Sequence, residues 1–166
     1  MTDIGELRKA DAELTEEQKL DNALRLAFGG DRDRFVEFRD VLTVSIPENT
    51  AAVLGGSSVT GHNYHTGAPF DADGPMTSDL DITLVGSEVI GLFSLEGFWV
   101  PGVHSHPVKD GDEEIAPALK PLRRKLQEIV GGRPVTIQAT RDFYIWVREH
   151  WLGQPYLTLV GKVDET

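Results

Sequence analysis

Two stretches decide the reading of this chain: AAVLGGSSVTG at residues 51–61, and SDLDITLVG at residues 78–86. The first is a short apolar run, Ala51 to Leu54, that breaks into glycine and serine, as a strand does when it enters a tight turn. In the second, Leu80, Ile82 and Leu84 alternate with Asp79, Asp81 and Thr83, the period of a strand with one apolar and one polar face. Asp79 and Asp81 are two apart, so both carboxylates leave the strand on the same side. Two carboxylates held close repel unless a cation lies between them. An all-oxygen ligand set favours a hard ion such as Mg²⁺, commonly shared with substrate phosphates. A Gly56-Ser57 turn lets backbone amides approach a phosphate, because glycine lacks the Cβ that blocks the way. By itself Asp-x-Asp reads as a solvated strand face. The turn that precedes it gives it a chemistry: a nucleoside triphosphate held by the turn and by metal on the aspartates.

Outward from this centre the chain alternates helices and strands. Thr15 and Gln18 have the spacing of a capping box. Leu20, Ala23, Leu24, Ala27 and Phe28 follow with one-face helical spacing, stopped by Gly29 and Gly30. A second helix is predicted from about Asp33 to Leu42 with Phe35, Phe38 and Leu42 inward, and Pro47 and Asn49 mark a turn. A third runs roughly from Ala116 to Val130, burying Leu119, Leu122, Leu126 and Ile129, with Arg123, Arg124 and Lys125 on its solvated side. VTIQA and Tyr156 to Val160 read as strands, and Phe143 to Trp151 as a helix closed by Gly153. Leu92 to Val108 has room for one or two short strands broken at Pro101 and Gly102. The order predicts an α/β (α+β) fold, a mixed β-sheet flanked by α-helices, in one domain spanning residues 1–166 with the first 13 flexible.

The 166 residues carry 27 acidic and 16 basic side chains, a net charge of −11, and no cysteine. Disulfides, zinc ribbons and thiol nucleophiles are excluded. The acidic balance argues against bulk nucleic acid as a partner. No apolar run has the length of a membrane span, and the N-terminus lacks the basic start and apolar stretch of a signal peptide, so cytoplasm is the expected location.

GSSVTG followed by SDLDI resembles the signature of the DNA polymerase beta-like nucleotidyltransferase superfamily. Gly56, Ser57 and Gly61 match its turn, and Ser78, Asp79 and Asp81 match its strand. The resemblance is sharp over about residues 51–86 and architectural elsewhere. It implies a nucleotidyltransferase-like sheet, with Gly56, Ser57 and Ser58 at the nucleotide phosphates and Asp79 and Asp81 as catalytic ligands of Mg²⁺ or Mn²⁺. The implied reaction moves a nucleoside monophosphate from a triphosphate to a hydroxyl of a small molecule or protein. Many active members carry a third acid on a neighbouring strand. Here VTIQA offers Thr136 and Gln138, so Glu96, Asp110 and Asp142 are the candidates to complete the set. Without one, the alternative is a catalytically silent module of the same fold that binds nucleotide or a partner. The 61–78 loop is longer than in minimal members and is expected to form a substrate-facing flap carrying His62, Tyr64 and His65. A third reading rests on HSHP at 104–107, which resembles the His-x-His-Pro of the JAMM metalloproteases and suggests a zinc hydrolase using His104 and His106.

Overall fold

A computed structural model describes residues 3–163. Helix α1 (Ile4–Ala12) precedes α2 (Glu16–Ala27) and α3 (Arg32–Ser45). Strand β1 (Ala51–Gly55) enters a single helical turn, α4 (Ser57–Thr60), and the 61–78 loop leads to β2 (Leu80–Val85). A short α5 (Ser87–Ile90) precedes a hairpin of β3 (Phe98–Val100) and β4 (His104–Ser105). Helix α6 (Lys120–Ile129), β5 (Val135–Thr140), α7 (Phe143–Ile145) and β6 (Tyr156–Val160) complete the chain. The six strands form one mixed sheet in the order β3-β4-β5-β2-β1-β6. The pair β2–β5 is parallel; β1–β2, β1–β6, β3–β4 and β4–β5 are antiparallel.

Local sequence accounts for the boundaries. Thr15 caps α2, accepting from the Gln18 amide while the Gln18 side chain accepts from the Thr15 amide, so two free donors of the first turn are satisfied. Gly29 and Gly30 both take positive φ and end the helix, with the Gly30 amide returning to the Leu24 carbonyl. Pro117 opens a 3₁₀ turn and Pro121 lies in the first turn of α6, where no intrahelical donor is lost. The ambiguous 92–108 segment resolves into two strands because Pro101 and Gly102 supply the reversal between them, Gly102 with φ +75°.

One face of the sheet is apolar. Leu80, Ile82 and Leu84 of β2 join Ala52 and Leu54 of β1 and Val135, Ile137 and Ala139 of β5 in a cluster with α2, α3 and α6. Phe28 meets Phe35 and Phe38 edge-on at 5.3 and 5.2 Å, joining α2 to α3. The opposite face carries Asp81, Thr83, Thr136, Gln138 and Thr140, with Val53, Phe143 and Trp146 packed at one end. After α7 the helix widens into a π-turn, Trp146–His150, which brings Trp146 and His150 beside Trp99.

Within the 1–13 segment expected to be flexible, Ile4–Ala12 forms α1 and packs on the 61–78 loop. One expectation changes. Arg123, expected on the solvated side of α6, is buried: it donates to the Val135 carbonyl and pairs with Asp110. A long side chain whose head finds a carbonyl and a carboxylate leaves water at low cost. That outcome depends on the tertiary partners and not on helical spacing.

Candidate functional site

The parallel pairing of β2 with β5 and the antiparallel pairing with β1 place three residues in one row: Gly55, Asp81 and Thr136. Thr136 donates its hydroxyl to Asp81 Oδ1 at 2.7 Å. Gly56 follows immediately and turns the chain with φ +83° and ψ −160°, a conformation that side chains avoid. A Cβ there would stand 2.6 Å from Asp81 Oδ2. The turn and the carboxylate are therefore in direct contact, and only glycine fits between them. Gly55 is closed for another reason: a Cβ would stand 2.5 Å from the Trp151 ring.

A cavity of about 190 Å³ opens here, lined by Gly56, Ser57, Asn63, Tyr64, His65, Asp79, Asp81 and Gln154. A second cavity of about 400 Å³ adjoins it, sharing Ser57 and Asn63 and walled by Ala68, Pro69 and Ser78. The sequence-predicted Gly56, Ser57, Asp79 and Asp81 thus meet in one pocket. Ser58 is fully buried and does not line it, and its hydroxyl has no partner among the described residues. Burial and the adjacent Asp79 push the Asp81 carboxyl up to about 7, against the opposing pull of the Thr136 hydroxyl and the Lys109 ammonium.

The 61–78 loop is held on every side. Asn63 Oδ1 accepts from the amides of His65 and Thr66, and the Asn63 amide donates to the Ala68 carbonyl. Arg8 of α1 lies over the Tyr64 ring, 4.0 Å from its centroid, and donates to the Tyr64 carbonyl. His62 pairs with Asp11 of α1 at 2.9 Å, so of the three expected flap residues Tyr64 and His65 face the pocket and His62 ties the loop down. At the far end of the loop Arg133 grips Asp71 through two hydrogen bonds, donates to the Ser78 carbonyl and stacks over Phe70. That grip holds the Asp71 carboxyl down at about 2. Ser78 is drawn into this network, exchanging hydrogen bonds with Asp71. The sequence reading missed Asp71, Arg133, Asn63 and Gln154. The one signal it held for the grip was an arginine between a glycine pair and a strand, against a loop rich in acids.

Among the described residues no third acid joins the pair. Thr136 faces Asp81 and Gln138 donates to Thr83. Asp110 is paired with Arg123, Asp142 caps α7 at the Ile145 amide, and Glu96 lines a different cavity. Among the described residues no group of three His, Asp or Glu side chains is placed to hold a metal ion. His104 is buried against the Thr140 hydroxyl and His150, and burial with that neighbour holds its pKa below the usual histidine value. His106 meets the edge of Trp99 instead. No helix among the described residues is long and apolar enough to cross a membrane.

A six-stranded mixed sheet with one apolar face and one carboxylate-bearing face is the class that the fold and site define. Compared with known proteins, the chain matches no family model, no curated protein and no solved structure.

Proposed function

We propose that the chain binds a nucleoside triphosphate with a divalent cation and transfers its nucleoside monophosphate to a hydroxyl, as the DNA polymerase beta-like nucleotidyltransferases do. The observation that carries this reading is the contact between the Gly56 turn and Asp81, with Asp79 and Ser57 in the same pocket. Both oxygen donors suit Mg²⁺ or Mn²⁺, and a pair of carboxylates that repel each other is relieved by a cation. Asp79 and Asp81 would hold that ion, which when bound neutralises the phosphates and the developing charge. The chain's own residues do the rest. The Gly56-Ser57 turn receives the phosphates at close range because no Cβ intervenes. Tyr64 and His65 cover them from the loop, and the Thr136 hydroxyl fixes the Asp81 carboxylate in one orientation.

Calorimetric titration with each nucleoside triphosphate and Mg²⁺ tests the reading. Binding by wild type and its loss in the Asp79→Ala, Asp81→Ala double variant are expected. Absence of binding by wild type, or equal binding by the double variant, overturns it.

One observation favours a second reading. Thr136 occupies the position opposite Asp81, and neither it nor Gln138 can accept a proton from an attacking hydroxyl. A catalytically silent module would bind the nucleotide and stop there. Incubation of the protein with radiolabelled triphosphate and candidate acceptors separates the two: label on an acceptor or on the protein refutes the silent module.

A further inference from the structure

Three parts of the chain wall the pocket of about 190 Å³: the Gly56-Ser57 turn, the aspartates Asp79 and Asp81, and the loop that carries Tyr64 and His65. The protein thus brings hydroxyls of its own to the site. Most are engaged. In the adjoining cavity Ser78 accepts from the Asp71 amide and Thr66 from the Ala68 amide. Thr136 donates to Asp81, and Ser57 belongs to the turn itself. The Tyr64 hydroxyl has no hydrogen-bond partner among the described residues.

Its ring is nonetheless held. The Arg8 guanidinium lies over one face, 4.0 Å from the centroid, and donates to the Tyr64 carbonyl. The His65 ring meets it edge-on at 5.3 Å. On either side along the chain, Asn63 gathers the amides of His65 and Thr66, and Asp11 holds His62. A fixed ring with an unbonded hydroxyl, in one pocket with a carboxylate pair, is a nucleophile already brought to its place.

The chemistry of the walls favours a phenol over an alcohol. Among the described residues no third acid joins Asp79 and Asp81 to take the proton of an attacking hydroxyl. An alkyl hydroxyl needs such a base. A phenol, with an ordinary pKa of about 10, gives up its proton far more readily. A guanidinium over the ring attracts the negative charge that gathers there as the proton leaves.

We infer that the protein nucleotidylates itself on Tyr64, the phenol of the chain serving as the acceptor hydroxyl. The inference rests on the nucleotidyl-transfer reading of this pocket. Tyr64 Oη bonds to the α-phosphorus of the bound triphosphate. The bond from that phosphorus to the oxygen bridging to the β-phosphate breaks, its electron pair leaves with pyrophosphate, and the phenol proton passes to water. Entering and leaving oxygens lie on opposite sides of phosphorus in an in-line displacement. With the leaving phosphates on the turn, the entering oxygen comes from the loop wall. The product is a phosphodiester between the nucleoside and Tyr64. It remains in the pocket, so the reaction ends after one transfer per chain.

Incubation of the wild-type protein with each nucleoside triphosphate and Mg²⁺, followed by intact-mass spectrometry, tests the inference. The mass is expected to rise by a single nucleoside monophosphate, and peptide mapping of the same sample to place it on Tyr64. The fraction modified per unit time is expected to be unchanged on dilution, as transfer within one chain requires. Tyr64→Phe, which keeps the ring under Arg8, is expected to lose the increment, with its Tm and a calorimetric titration with the triphosphate reporting on its fold and pocket. The mapping on wild type decides the site without that variant. Triphosphate binding with no increment, an increment mapped elsewhere, or equal labelling of Tyr64→Phe overturns the inference and leaves nucleotide binding standing. No triphosphate binding by wild type removes the nucleotidyl-transfer reading, and the inference with it.

Discussion

The two faces of the sheet are built from the same strands and teach opposite lessons. On β2, Leu80, Ile82 and Leu84 vanish into the helical layer, while Asp81 and Thr83, on alternate positions, look the other way. The apolar face gains its stability from burial, at roughly 25 cal/mol per Å² removed from water. The polar face gains less of it, from Val53, Phe143 and Trp146 packed at one end. It holds a carboxylate pushed toward its protonated form, a glycine in a left-handed turn, and the Thr136 and Thr83 hydroxyls, bonded to Asp81 and to the Gln138 amide. Most of the apolar burial lies on one side and the chemically poised groups on the other, on alternate residues of the same strands.

The comparison breaks most easily at Leu84, which is fully buried. Leu84→Ala is expected to cost about 3 kcal/mol in chemical denaturation, from lost transfer energy and the cavity left behind. Nucleotide affinity measured well below the Tm should stay the same. A large loss of affinity with unchanged stability would mean the faces are not separable.

Arg133→Ala comes next. It leaves Asp71 unpaired and unties the loop from β5, and about 2 kcal/mol of destabilisation is expected, less than for a fully buried pair because Asp71 is partly open to solvent. The paired Asp71 titrates at about 2, below its unfolded value of 3.8, so its contribution is present above pH 4 and fades as pH falls toward 2. Urea titrations at pH 6 and pH 2.5 should show the wild-type advantage over the variant shrinking at the lower pH.

Asp81→Asn runs in the opposite direction. The folded state holds this proton up to about pH 7 and the unfolded state releases it near 3.8. Wild-type stability contributed by this group therefore falls as pH rises from 4 to 7. At pH 8 the asparagine variant should be more stable than wild type in chemical denaturation, by on the order of 1–2 kcal/mol, and at pH 4 the gain should disappear. The same variant should lose Mg²⁺-dependent triphosphate binding by more than the ~100-fold typical of disturbing a group that only supports a metal ligand. A variant less stable than wild type at pH 8 would contradict the assignment of strain to this face.

The smallest effect is expected at Arg8. Arg8→Ala removes one hydrogen bond and one cation–π contact from α1 to the loop, below about 1 kcal/mol. Global unfolding should hardly register it. Limited proteolysis should, with faster cleavage within residues 61–78.

Legibility in the sequence followed the same division. The alternation in LDITLVG and the helical spacing of Phe35, Phe38 and Leu42 located the apolar face, because burial imposes a period that one chain segment displays by itself. The turn and the aspartates were legible because their residue types are unusual at those spacings. What stayed hidden needed partners far along the chain. Arg133 and Asp71 are 62 residues apart, and Asp11 and His62 are 51 apart. Nothing local in either segment announces the other. Arg123 was misplaced for that reason: its position on the helix admitted solvent or core, and the Val135 carbonyl and Asp110 decided between them. Trp99 owes its platform to a π-turn at Trp146–His150, a departure from helical spacing that periodicity cannot display.

The adjacent glycines at the end of β1 have a consequence for any saturation-mutagenesis library. Both columns should tolerate glycine alone, but for separable causes that second-site suppressors can distinguish. Gly55 is blocked by the Trp151 ring, so Gly55→Ala should be rescued by trimming that ring to leucine. Gly56 is blocked by its own backbone angle as well as by Asp81, and no trimming elsewhere restores an alanine there.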